Sequence, residues 1–448
     1  MSPFEKLMNE VIDPGLCTRC GACVGLCPDQ NLTFIDPLGE CLPALQKEFD
    51  CSECNTDCGV GCPGEGINFP KLNEFIFGSP PPDYLLGHAD SFNIGWATDN
   101  KIRSRGSSGG VVTAILNDML IRGDIQGAVC LIDDPENPFS PKPVIATDLK
   151  TLFLAQQSKY SIAPINQILN QVDSFKGSLA FVGLPHQVHS IRKLQAAGNP
   201  IVRKIKVILG SYCGLEQHFT AVVDFLSVHG VKNLSQVRKL EYRAGNWPGK
   251  FRITLKSGKL IELEKFYANY MSLFYAVERS LLCLDLTNEL ADISFGDAWA
   301  KHLESKKEGY SLVVARTKNG GKILQDCSAS GSIALESSSR SKAMEMHAHG
   351  LYNKKIAVWG RIKFRKWLKQ KSPKYGYIVE ISLKQKFTGL FIALTFLVCR
   401  TRLARGLVGM VYPKIIGVLF LWVRKIWRKA LSNQKKMELR DWFRVKID

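Results

Sequence analysis

Nine of the 14 cysteines in this 448-residue chain fall between Cys17 and Cys62. Cys17, Cys20, Cys23 and Cys27, followed by Pro28, are spaced C-x2-C-x2-C-x3-C-P, the run that wraps a 4Fe–4S cubane. Cys51, Cys54, Cys58 and Cys62, followed by Pro63, repeat it with one extra residue in the middle gap. Three thiolates on one tight loop reach three corners of a cubane, while the fourth cysteine points away toward a second cluster. The expected ligand sets are therefore Cys17, Cys20 and Cys23 with Cys62, and Cys51, Cys54 and Cys58 with Cys27. Gly21 and Gly61 are expected to take positive φ and relieve the crowding of these loops. Zinc and disulfides are the competing readings, but zinc sites favour two ligand pairs over four cysteines closed by Cys-Pro. Cys41 is read as a non-ligand.

The elements that must position these groups follow from composition and period. The length exceeds one ordinary domain, and 45% hydrophobic residues support real cores. The first ten residues carry acids and no apolar run, so no signal peptide is read there. Cluster thiolates need a reducing compartment, which points to the cytoplasm. The net charge of +18 is unevenly placed: residues 340–448 hold 26 Lys and Arg against 5 Asp and Glu. A basic tail of this kind points to nucleic acid or to an anionic membrane.

Residues 1–70 are expected to form a ferredoxin-like 4Fe–4S module with little core of its own. A Pro-rich linker is expected at 71–86, around Ser79 to Pro82. Arg103-Ser-Arg-Gly-Ser-Ser-Gly-Gly110 then precedes apolar residues at helical spacing from Val111 to Ile121. A Gly/Ser loop opening a helix offers unpaired N–H groups to an anion, with Arg103 and Arg105 adding charge. The same stretch reads equally as a serine cap after a flexible turn. Strands are expected at 93–97, 126–132, 180–183, 205–209, 291–299 and 312–316, and a hairpin about Ser257-Gly258. The strand ending at Gly183 leads through Leu184-Pro185 into a helix whose first turn holds His186 and His189. Such a unit places its loop at a sheet's C-terminal edge. Asp297, after Gly296, would bind a ribityl or sugar hydroxyl, or cap a turn. Gly320 and Gly321 are expected to precede a short helix from Lys322 to Cys327.

The tail differs in kind. Thr388 to Cys399 and Leu407 to Val423 are apolar runs bounded by Lys384, Lys386, Arg400, Arg402, Arg405, Arg424, Lys425, Arg428 and Lys429. Neither reaches the roughly 20 residues of a spanning helix. Apolar runs flanked by cations, with Trp422 and Trp427, fit a membrane interface better than a nucleic acid. A helical hairpin packed on the body, or a shallow re-entrant hairpin through Pro413, are the other readings.

Several motifs taken in order resemble one family. They are the paired cysteine runs, Arg103 to Gly110, Ser158-Lys159-Tyr160, Gly183-x-Pro185-x-Gln187, Tyr242-Arg243-x-Gly245, and Glu289 to Trp299. Together, from about Gly15 to Leu335, they are similar to the family of coenzyme F420 hydrogenase/dehydrogenase beta subunits, of which hydroxymethyl-chlorophyll reductase is a relative. The resemblance implies two 4Fe–4S clusters and FAD, with ferredoxin or reduced F420 as electron donor and an organic substrate as acceptor. Bacterial relatives often belong to polysaccharide biosynthesis. On this reading Arg103, Arg105, Ser107, Ser108, Gly109, Gly110, Lys159, Tyr160 and Asp297 bind FAD. His186, where the family commonly has cysteine, becomes the candidate proton donor. The family also commonly has Cys-x2-Cys where this chain has Ser280 and Cys283.

The expected architecture is α+β or α/β. It has the two-cluster module, a mixed-sheet flavin-binding catalytic region over 87–340, and a basic amphipathic helical tail over 341–448. The tail would dock on the inner face of a membrane, with no nucleic-acid partner. The alternative is a non-catalytic electron-transfer subunit of a larger complex.

Overall fold

In a computed structural model of the chain, the described residues are 1–46, 51, 54, 56–431 and 443–448, the side chains of 426–431 excepted. The strands in chain order are β1 (Leu32–Ile35), β2 (Leu42–Leu45), β3 (Ser91–Ala97), β4 (Gly127–Ile132), β5 (Lys142–Ala146), β6 (Leu179–Gly183), β7 (Ile205–Ser211), β8 (Val237–Ala244), β9 (Lys250–Leu255), β10 (Leu260–Glu264), β11 (Ile293–Asp297), β12 (Ser311–Ala315), β13 (Ile333–Ser337), β14 (Tyr377–Ile381) and β15 (Phe443–Ile447). Eight of them form one mixed sheet in the order β13-β3-β12-β11-β7-β6-β4-β5. Its middle strands β4, β6, β7 and β11 are parallel. β5, β12, β3 and β13 join antiparallel at the two sides.

The apolar runs become strands because both faces of this sheet are covered. The two-residue period splits each run between two cores. Ala128, Cys130, Ala180, Val207 and Leu209 face the core under the helices α1 (Val111–Arg122), which follows the Gly/Ser loop, and α3 (Lys318–Ala329), while the same strands' Val129, Leu179, Phe181 and Ile208 face the core that includes α2 (Pro185–Ala196). α3 begins four residues before the expected short helix, because Thr317 caps it by accepting from the Gly320 N–H at 3.0 Å. The expected hairpin pairs β9 with β10, and β8 completes a three-stranded sheet.

The N-terminal module does not stand apart. Phe4, Leu7, Val11, Leu16, Phe69 and Leu72 share the core that holds α2. The expected linker is helical at its start, since Phe69–Phe77 forms a helix capped by Asn68. Two donors tie the module's last loop to the body: buried Arg279 donates to the carbonyls of Gly64 (2.9 Å) and Pro63 (3.2 Å), and half-buried Lys193 donates to that of Cys62. Gly21 has φ +94, as expected of a crowded loop. Gly61 does not take positive φ. Its missing side chain instead makes room for Leu194, which a Cβ would meet at 2.9 Å.

The basic tail is two things, not one. α4 (Arg340–Leu351), the wider π turn Tyr352–Ala357 and α5 (Val358–Trp367) pack into the body, and Lys354, Lys355, Arg361 and Arg365 are buried there with internal partners. These four of the tail's 26 basic residues are therefore internal. β14 pairs with β15 near the chain end, a sheet the apolar pattern gave no sign of. Among the described residues, α6 (Leu383–Cys399), α7 (Arg402–Val408) and α8 (Pro413–Leu431) form the exposed helical tail. No single helix among the described residues is long and apolar enough to cross a membrane. α6 and α7 are bent by 70° at their junction. α6 crosses α5 at a close approach where a Cβ on Gly360 would meet the Gly389 Cα at 2.9 Å.

Arg279 also donates to the Tyr375 hydroxyl at 3.0 Å. Arg279→Met would leave three buried acceptors short of a donor, at about 1–3 kcal/mol each. The expected result is a lower urea midpoint, a loss on the order of 3 kcal/mol, and weaker iron retention than the wild type after gel filtration.

Candidate functional site

The C-terminal ends of the parallel strands open onto a cavity of 1010 Å³. Cys130 and Leu131 of β4, Val182 and Gly183 of β6, Ser211 and the turn to Glu216 after β7, and Phe295 to Asp297 of β11 all line it. This is the edge where an open α/β sheet holds its ligands. Val111, Val112 and Thr113, the first turn of α1, line it too. α1 starts after Gly110, at φ +73, and no side chain caps it, so the cavity is bordered by a helix start whose first N–H groups lack a side-chain cap, the kind of end that can cradle an anion. The volume and the cradle suit a dinucleotide.

The expected site residues divide. Ser107, Ser108, Gly110, Lys159, Tyr160 and Asp297 line this cavity. Gly109 does not. It is packed on β3, where a Cβ would meet the Gly95 carbonyl at 2.4 Å, and its N–H donates to the Ser311 hydroxyl. Its lack of a side chain therefore serves packing on the strand. Arg103 and Arg105 also stand apart from the cavity. Arg103 lies against Trp96 and Tyr310 and pairs with Glu308 at 3.0 Å, and Arg105 lies over the Phe153 ring.

Arg243 organises the wall. It pairs with Asp297 at 3.1 Å and donates to the Ser107 carbonyl (2.8 Å) and the Tyr160 hydroxyl (3.3 Å). Burial alone would raise Asp297, but Arg243 and then Lys265 hold it below its ordinary 3.8. The Asp297 carboxylate is thereby committed to Arg243 and to the Trp247 indole N–H. Tyr160 is likewise held below its ordinary value: burial opposes this, and Lys265 and Arg243 outweigh it. Lys159 is committed too, to Asp133 at 3.3 Å and to the carbonyl of Gln156, and burial lowers its pKa.

His186 is absent from the large cavity. It lines a separate buried chamber of 20 Å³, the room of about one water, together with Cys213, Glu216, Ser280, Cys283 and Lys354. Its Nδ1 lies 3.4 Å from Glu216. Burial first, and then His189 and Arg279, push its pKa well below 6.5, which favours the neutral imidazole. His189 is buried against Asp285 at 2.9 Å and Phe69. Glu216 is the group the sequence did not single out. Burial raises it to about 7, against the pull of Lys354 and Arg19, and it lines both chamber and cavity. Lys354 does the same from the π turn.

The cysteines of the first run converge. Cys17, Cys20, Cys23 and Cys62 line one small cavity whose other walls include Leu7, Val11, Ile12, Phe34 and Pro43. Burial, then Cys20 and Cys17, push the Cys62 thiol up to about 12. At the other run, burial, Asp57, Cys51 and Cys27 raise Cys58 to about 12. Four soft donors in a dry pocket suit a cubane. Among the described residues no group of three or more His, Cys, Asp or Glu is arranged for a single metal ion. Cys41 is buried elsewhere, with Ile162 and Val277.

Residues 10–33 match the 4Fe-4S binding domain. Residues 93–170 match the N-terminal part, and residues 177–341 the C-terminal part, of the coenzyme F420 hydrogenase/dehydrogenase beta subunit. The chain belongs to this family. Among its relatives, coenzyme F420-dependent sulfite reductase of Methanocaldococcus jannaschii is 26% identical over 71% of the chain. The chain spans 47% of that protein's length. A subunit of the F(420)H(2) dehydrogenase of Methanosarcina mazei is 27% identical over 70% of the chain and 82% of its own length. A protein of the F420-reducing NiFe hydrogenase complex from Methanosarcina barkeri shares the fold, with a TM-score of 0.52, 22% identity, and coverage of 65% of this chain and 97% of that one. The two departures from the family pattern, His186 and Ser280, line the same chamber as Cys283.

Arg243→Leu would leave Asp297 buried without its counter-charge, at about 3–5 kcal/mol near neutrality. Asp297 is held below 3.8 in the folded chain, so the stability it contributes is present above that value and is lost as pH falls through the folded value. The stability gap between wild type and variant, measured by denaturation across pH, is therefore expected to be widest near neutrality and to narrow below 3.8.

Proposed function

We propose that the chain is an iron–sulfur flavoprotein oxidoreductase. It passes electrons between ferredoxin or reduced F420 and an organic acceptor, on the cytoplasmic face of a membrane. The observation that carries this is a shared line of walls. Thr18 lines both the four-cysteine cavity and the chamber, and Cys213, Glu216 and Lys354 line both the chamber and the large cavity. Two redox centres placed at the ends of this line would lie on either side of one small chamber.

Bound FAD would supply the exchange between one-electron and hydride chemistry. The chain's own groups then have definite tasks. The first turn of α1 would hold the diphosphate. Arg243 fixes Tyr160 and Ser107 as one wall. Glu216, near half-protonated at pH 7, would hold or release a proton at Oε2, with His186 behind it and Lys354 limiting its rise. Cys17, Cys20, Cys23 and Cys62 would hold one cluster, and Cys51, Cys54, Cys58 and Cys27 the other. A second reading, a non-catalytic electron-transfer subunit, is favoured by the relatives named as parts of larger complexes.

Anaerobically prepared protein is expected to hold about eight irons, and Cys20→Ser about four. Stoichiometric zinc without iron would refute the reading. Thr113→Glu places a carboxylate at the third position of α1, which suits the helix dipole and occupies the cradle. The variant is expected to keep its iron and its melting temperature while losing flavin absorbance after reconstitution with FAD. Wild-type protein that binds no FAD would remove the flavin step.

A further inference from the structure

Of the three tail helices, α6 and α8 bury one face and leave the opposite one to solvent, while α7 lies half-buried to exposed throughout. On α6, Gln385, Gly389, Ile392 and Phe396 face the body, while Leu383, Phe387, Phe391, Leu394 and Val398 form a stripe at helical spacing on the other side. Phe387 is 68% exposed. On α7, Leu403 and Leu407 are exposed. On α8, Ile416 and Gly417 pack inward while Ile415, Val418, Leu419 and Trp422 face out, Trp422 at 64%. A soluble surface rarely leaves so many large apolar side chains uncovered on neighbouring helices without a partner.

The charge says which partner. From Leu383 to Lys425 the sequence has no Asp or Glu. Lys384, Lys386, Arg402, Lys414 and Lys425 are exposed beside the apolar stripes. Arg400 and Arg405 are turned inward, to Glu278 and the Phe274 carbonyl. Apolar stripes rimmed by cations alone complement a surface that is oily beneath and anionic above. A second copy of the chain would set these cations against one another. The close Gly360–Gly389 approach fixes α6 on the body, so its stripe lies along the surface of the protein.

We propose that the outer faces of α6, α7 and α8 are one docking surface for an anionic lipid bilayer, entered to headgroup depth and not crossed. This deepens the location proposed above and rests on it. α8 also presents Leu421 and Arg424 to the large cavity, so the lipid face and the cavity share a wall.

The test is co-flotation of the full chain with vesicles of phosphatidylglycerol in phosphatidylcholine, against phosphatidylcholine alone, at low salt. Flotation reads no electron transfer, so its failure would leave the redox reading standing. The expected result is flotation with the anionic vesicles only, released by high salt. Lys384→Gln with Lys386→Gln is expected to weaken binding about 30-fold, at roughly fivefold per cation. Phe391→Asp with Trp422→Asp changes only exposed positions. It is expected to abolish flotation while iron content and melting temperature stay at wild-type values. Failure to float with anionic vesicles, equal flotation with neutral ones, or a dimer in sedimentation that Phe391→Asp dissolves would each overturn the proposal. Retention through alkaline extraction would overturn it as well, by showing insertion.

Discussion

Cys62 belongs to the second cysteine run, yet it lines the small cavity of the first. That crossing binds the two runs into one unit and dictates much of what surrounds them. The loop bearing Cys62 must be held against the body, and the holding is done from elsewhere in the chain: Arg279 grips the carbonyls of Pro63 and Gly64, and Lys193 on α2 that of Cys62. α2 in turn starts at the end of β6, on the edge where the large cavity opens. The cysteine loops and the cavity are thus braced by the same short helix. This bracing fixes the Cys62 loop relative to the cavity.

The parallel strands impose a second constraint. Their C-terminal ends bring Glu216 and Asp297 to one edge, where loops and a strand from elsewhere in the chain add further polar groups. Ser107, Tyr160, Glu216, Arg243 and Asp297 come from widely separated stretches and are assembled only there. Arg243 is the assembling group, because a buried guanidinium has several N–H donors to satisfy and finds acceptors for them on Asp297, Tyr160 and Ser107.

Burial changes the chemistry of groups that the sequence shows as equals. His186 and Glu216 are 3.4 Å apart. Desolvation drives the histidine toward neutrality and the carboxyl up to about 7, so burial favours the neutral form of both neighbours. Packing also divides the basic tail: Lys354 and Lys355 sit inside, and Lys384, Lys386, Lys414 and Lys425 remain outside.

The sequence by itself determined the local features whose physics is local. Cysteine spacing identified the cluster loops, apolar runs marked β4, β6, β7, β11 and β12, and Ser257-Gly258 turned its hairpin, because chain sterics and short-range hydrophobic period decide these. The ordered motifs also identified the family. Sequence could not determine which glycine serves the cradle and which serves packing: Gly109 and Gly110 are adjacent and alike until β3 is placed against one of them. It gave no sign of β14 with β15, whose pairing joins distant segments. It pointed to His186, and only the fold brought Glu216 and Lys354 to the cavity. Tertiary structure decided these points because long-range burial, which no window of sequence contains, sets both the charge state of a side chain and the direction it faces.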